Sequence, residues 1–145
     1  MPEESVRAAL NYAWGLVELK RFDEAKSLMR KTVPVARRFV GESNEITLKM
    51  RWLYGRVLYR DTGATLDDLC EAATTLEDTE RTARRVLGGA HPITKGIERE
   101  VTMSRAALRA REDTAPGGDV NTMREAMAAM TAGDAQEGPK LTQSN

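Results

Sequence analysis

Three places in the chain offer groups of the kind that catalyse reactions: Asp61-Thr62-Gly63, His91 and Cys70. Asp-Thr-Gly is the tripeptide of aspartic proteases, whose chemistry needs two such carboxylates brought together to share one proton. This chain has one copy, between two helical stretches, and it reads as a turn. His91 is the only histidine. As a general base it needs a paired nucleophile, and as a metal ligand it needs further donors at fixed spacing. Neither is visible, and beside Pro92 it reads as the start of a helix. Cys70 is the only cysteine, so no intrachain disulfide can form, which fits a reducing compartment. It is expected to pack in a helix as a small apolar group. Asp67, Asp68 and Glu71 fall near a helix start, where negative charge suits the dipole. Gly88-Gly89 reads as a helix stop and not as a phosphate loop. No catalytic residue, cofactor or metal site is therefore expected, and the chain reads as a non-enzyme.

The elements that carry these groups are helical. Charged residues make up 30% and aromatics 5%, a mix that favours helices over sheets. Caps and apolar spacing predict five helices, at about 5–19, 23–39, 44–60, 65–87 and 91–111. Ser5 is the expected N-cap of the first. Gly41 should stop the second, which contains Pro34, so a kink is expected there. Thr65 with Asp68 gives a capping-box-like start to the fourth, and Pro92 suits the first turn of the fifth. Phe39 and Leu66 are counted among the apolar positions.

Charge is zero overall but uneven. Residues 112–145 hold six acidic and two basic side chains, so this tail is −4 and residues 1–111 are +4. That is well short of the basic surface nucleic-acid binding shows. The N-terminus lacks the basic and apolar regions of a secretory signal, and no stretch approaches the ~18 apolar residues of a membrane span. A cytoplasmic protein is expected, with neither nucleic acid nor membrane as partner. The tail is turn-rich and expected to be disordered; residues 121–130, with Met123, Met127 and Met130 on one face, read as a transient short helix, with a docking motif as the alternative.

The chain also repeats itself. ARRFVGESNEIT at 36–47 matches ARRVLGGAHPIT at 83–94 through Ala36/Ala83, Arg37/Arg84, Arg38/Arg85, Gly41/Gly88, Ile46/Ile93 and Thr47/Thr94. The same offset of 47 pairs Glu24/Glu71, Ala25/Ala72 and Thr32/Thr79. Earlier in the unit the offset is 42, as in Tyr12/Tyr54 and Leu16/Leu58, with the slack at 61–67. A period of this size signals stacked helical hairpins, each unable to bury its apolar face alone.

Tyr12-Ala13, Leu16, Arg21-Phe22-Asp23-Glu24-Ala25 and Gly41 resemble a tetratricopeptide repeat. The junction Leu87-Gly88-Gly89-Ala90-His91-Pro92-Ile93-Thr94 is similar to that of the kinesin light chain subtype. The first junction departs from it, with Asn44-Glu45 in place of His-Pro, and the turn at 61–67 is long. The resemblance implies an all-α, right-handed superhelix. It would comprise residues 1–111, with units at about 5–42 and 43–88 and a capping helix at 91–111, followed by the flexible tail 112–145. Two and a half units is near the minimum for stability, so a marginal domain, a homodimer or part of a longer array is expected.

In such a stack the first helix of each hairpin lines the concave face. The implied groove set is Arg7, Trp14, Lys49, Trp52, Arg56, Tyr59, Arg60 and Arg99, with Leu10, Val17, Glu18 and Met103 beside them. Trp14 and Trp52 have two placements open, in the groove or in the core between units. Trp and Arg dominate interfaces, and Arg pairs well with carboxylates. The expected function is a protein-interaction module taking a partner peptide, acidic with an apolar anchor. The alternative is a non-catalytic assembly segment of a larger enzyme or signalling protein. Arg37-Arg38 and Arg84-Arg85 are expected outside the groove, on solvated faces.

Overall fold

The computed structural model describes residues 3–114 together with Met127 and Ala128. The chain divides into two units, Met1–Leu108 and Arg109–Asn145. Five helices occupy residues 3–114: α1 Glu3–Glu18, α2 Phe22–Phe39, α3 Glu45–Arg60, α4 Leu66–Leu87 and α5 Pro92–Thr114. In the second unit α5 ends at Thr114, and Met127 and Ala128 are helical; the rest of the expected helix at 121–130 lies outside the described residues.

Each helix packs on the next through α4, and α1 also meets α3. The core forms around α3, which is buried on several sides. One cluster joins Val6, Ala13 and Leu16 of α1 and Ala25, Met29 and Ala36 of α2 to Met50, Leu53, Val57 and Leu58 of α3. A second joins Leu48 of α3 to Leu76 and Ala83 of α4 and to Ile93, Ile97 and Val101 of α5. Small residues set the close approaches: a Cβ on Gly55 would lie 2.5 Å from Leu76 Cγ, so α3 and α4 meet backbone to side chain there.

The sequence repeat is also a repeat of environments. Ala25 and Ala72 are both fully buried, as are Ala36 and Ala83. The hydroxyls of Thr32 and Thr79 each donate 2.6 Å back to a carbonyl one turn earlier, Leu28 and Thr75. Gly41 and Gly88 both take positive φ, at 109° and 92°, where a side chain would be strained. The two junctions that differ in sequence do the same work. Asn44 Oδ1 accepts from the Ile46 N–H at 2.8 Å, and His91 Nδ1 accepts from the Ile93 N–H at 3.1 Å. An amide oxygen and an imidazole nitrogen thus cap equivalent helices.

Thr65 and Asp68 form the full capping box, each side chain bonding the other's backbone N–H at 3.1 Å. Asp61 Oδ1 accepts from Gly63 N–H at 3.0 Å, so this Asp-Thr-Gly is the expected turn. Helix α2 runs through Pro34 without a break.

Several local expectations are corrected. Ser5 is not an N-cap, because α1 already includes Glu3. Cys70 is exposed on α4 and does not pack. Phe39 and Leu66 are exposed too. They are the last residue of α2 and the first of α4, beyond the packed layer. Tyr12 is exposed, whereas its counterpart Tyr54 is closed in by Arg30 of α2 and Glu71 of α4.

Candidate functional site

Helical spacing brings one face of α1 alongside one face of α3. Arg7, Leu10, Asn11 and Trp14 recur at three- and four-residue steps on α1, and Glu45, Ile46, Lys49, Trp52, Leu53 and Arg56 do so on α3. With Glu3 and Asn44 these residues line an open cavity of about 730 Å³. Two contacts fix the helices in parallel. Near their starts Asn44 Nδ2 donates to Glu3 Oε2 at 3.2 Å, and near their ends Trp14 meets Arg56.

Arg56 is the centre of the aromatic end. Its guanidinium carbon lies 5.4 Å from the Trp14 ring centroid and 5.6 Å from that of Trp52, a distance at which the cation is attracted to both rings. Trp14 stays 45% exposed, so one indole is presented to solvent. Trp52 is half-buried against α5, where a Cβ on Gly96 would collide with its ring. Of the two placements open to the tryptophans, Trp52 takes both: it lines the cavity and seals α3 to α5.

Behind the stack lies Glu100 of α5, buried with a side chain only 5% exposed. Its carboxylate accepts from Trp52 Nε1 at 3.1 Å and from Arg56 at 3.1 and 3.2 Å. The Tyr59 hydroxyl also donates to it, and Arg60 stands 3.4 Å away. Burial alone would push this carboxyl up, but the Tyr59, Trp52 and Arg56 donors outweigh it and hold it below the usual carboxylate range. Tyr59 is pushed up to about 12, chiefly by burial and then by the Glu100 carboxylate it bonds.

Of the residues expected in the groove, Arg7, Trp14, Lys49, Trp52 and Arg56 share the cavity. Tyr59 and Arg60 belong instead to the Glu100 cluster behind it. Met103 Sδ lies 3.9 Å from the Tyr59 hydroxyl. Arg99 is exposed and lies in neither group. Arg37, Arg38, Arg84 and Arg85 are exposed; Arg37 pairs with Glu42 at 2.7 Å, and Arg84 with Glu80 and Glu98 at 2.6 and 2.8 Å.

Sequence reasoning missed Glu100. The signal was there: it sits three residues after Ile97 and four before Ser104, on the buried side of α5. A carboxylate on an apolar stripe must bring partners with it. Arg51 was missed for the same reason. It is buried on α3 and bonds Asp78 of α4 at 2.6 Å, which holds the Asp78 carboxyl below its usual range.

Among the described residues, no group of three or more His, Cys, Asp or Glu could hold a metal ion, and no helix is long and apolar enough to cross a membrane. Comparison with known proteins found no matching family model, no matching curated protein and no matching solved structure.

Proposed function

We propose that the domain is a protein-interaction module that receives a partner peptide in the groove between α1 and α3. One observation carries this reading: an open cavity of about 730 Å³ is walled by two tryptophans held around one arginine. Cavities of this size accept a short stretch of chain, and Trp and Arg are the side chains that most often dominate interfaces. The stack is pre-organised, because Glu100 fixes Trp52 and Arg56 from behind. Little ordering is left to do on binding.

We read the hairpins as a tetratricopeptide-like, right-handed stack of the kinesin light chain-like kind. The matched environments of the two units support this, as does the placing of the groove on the first helices. The partner carries an apolar anchor for the exposed Trp14 face. Catalysis has less support. The most strongly shifted groups, Tyr54 and Tyr59, are each already satisfied by a glutamate, Glu71 and Glu100, inside the fold.

The test is selection of peptides from a random display library against the domain, followed by titration of the winners into wild type and Trp14→Ala. Trp14 is exposed, so its removal leaves the core intact. Peptides that change the tryptophan emission and lose affinity in Trp14→Ala are expected. Failure to select any, or equal affinity for the variant, would overturn the reading.

A further inference from the structure

The groove is not uniformly charged along its length. The offset of 42 that relates the first helices places Glu3 with Glu45, Arg7 with Lys49, and Trp14 with Arg56. Because α1 and α3 run parallel, these pairs form successive rungs across the cavity: acidic, then basic, then aromatic. We infer that the basic rung of Arg7 and Lys49, and not the arginines at the aromatic end, selects the partner, and that the partner is an extended peptide with a carboxylate three residues from its apolar anchor. This rests on the groove being a peptide site.

Two observations separate the cations. Arg56 and Arg60 both face Glu100, whose side chain is 5% exposed and takes hydrogen bonds from Trp52, Arg56 and Tyr59. Withdrawing a donor from a buried carboxylate is costly, so a ligand gains little there. Arg7 and Lys49 are different. Their partners are Glu3 at 3.4 Å and Glu45 at 3.2 Å, one turn back on the same helix, and all four side chains are about half exposed. Pairs of that kind contribute ~0–1 kcal/mol and exchange readily for another carboxylate. Glu3 is further occupied by Asn44 at 3.2 Å, which leaves Arg7 the freer member of its pair.

The spacing follows from helix geometry. Arg7 and Trp14 are seven residues apart, which is roughly 10 Å along the axis. Three residues of extended chain cover roughly the same length, at ~3.1–3.3 Å each. A chain anchored on Trp14 and laid along the groove therefore brings its third residue between Arg7 and Lys49. An acid at the first residue would fall short of the rung, and one at the fifth would reach the Glu3 and Glu45 rung and be repelled.

The experiment uses Gly/Ser peptides carrying one Phe and one Glu at a spacing of one, three or five residues, with a Phe-only control. Protein tryptophan emission reports binding, since the peptides contain no Trp. The spacing of three should bind best, by about twofold to fivefold over the control. The double variant Arg7→Glu/Lys49→Glu should lose that gain and prefer the peptide with Lys in place of Glu. Both sites are on the surface, and unchanged circular dichroism and melting would show the fold retained. Binding of all four peptides with equal affinity would overturn the inference and leave the peptide groove standing. So would an acid preference that survives the double variant. Absence of binding by every peptide, the control included, would count against the groove itself.

Discussion

Glu100 is the residue on which the candidate site turns. It lies at a buried position of α5 and gathers Trp52, Arg56, Tyr59 and Arg60. Replacing it by Gln keeps the shape but removes the charge that balances two guanidinium groups. Glu100→Gln should lower stability by about 1–3 kcal/mol in urea unfolding and shift the tryptophan emission. Its carboxyl is held below the usual range, as are those of Asp68 and Asp78. A carboxyl depressed in the folded state stabilises fully above its unfolded value and loses that contribution as pH falls through the folded value. Stability should therefore decline on the acid side, below about pH 4, and the decline should be shallower in Glu100→Gln. A second residue works against the fold. Lys20, two residues beyond the end of α1, takes φ of 59°, while Arg21 N–H reaches back to the Leu16 carbonyl at 2.8 Å. This is a helix stop that ordinarily takes glycine. Lys20→Gly should raise stability by about 1 kcal/mol, read as a higher melting temperature.

At the scale of elements, Gly96 decides how α5 meets α3. Its missing Cβ is the space that the Trp52 ring fills. Gly96→Ala should cost about 1–3 kcal/mol by overpacking. It should also push Trp52 toward the groove and weaken any peptide held there, whereas Gly15→Ala, with open space around its Cβ position, should do neither. The helices themselves were legible in the sequence, because caps and apolar spacing are local signals. Asn44, Thr65 and His91 all begin helices, and Gly41 and Gly88 follow their ends with positive φ. What stayed hidden was tertiary. Arg51 and Glu100 look like surface charges until α4 and α5 cover them. Cys70 and Phe39 look apolar, yet no neighbour covers them enough to bury them. The groove was half legible: the tetratricopeptide resemblance implied Arg7, Trp14, Lys49, Trp52 and Arg56 on inward faces, but nothing local showed Arg56 to be already paired.

At the scale of the molecule, the question is whether the stack ends where its helices end or continues through another copy. The face of α3 that meets the preceding hairpin is apolar, with Ile46, Met50, Leu53 and Val57 in the first cluster. The residues 42 positions earlier on α1 are Glu4, Ala8, Asn11 and Gly15, all exposed and none large and apolar. At the other end, Leu48, Gly55 and Leu58 of α3 face their own hairpin partner. Their counterparts 47 positions on are Lys95, Thr102 and Arg105 of α5, again all exposed, and Arg105 is paired with Glu77 at 2.6 Å. Docking another hairpin there would bury the Glu4 carboxylate at one end or the Lys95 ammonium at the other, which costs several kcal/mol per ion. The unit Met1–Leu108 should therefore behave as a monomer when taken by itself. Its melting temperature should be the same at low and high protein concentration, and sedimentation equilibrium should return the mass of one chain. A melting temperature that climbs with concentration would mean that a second copy covers one of these faces, and Lys95→Glu or Asn11→Lys would then identify which end by abolishing the climb.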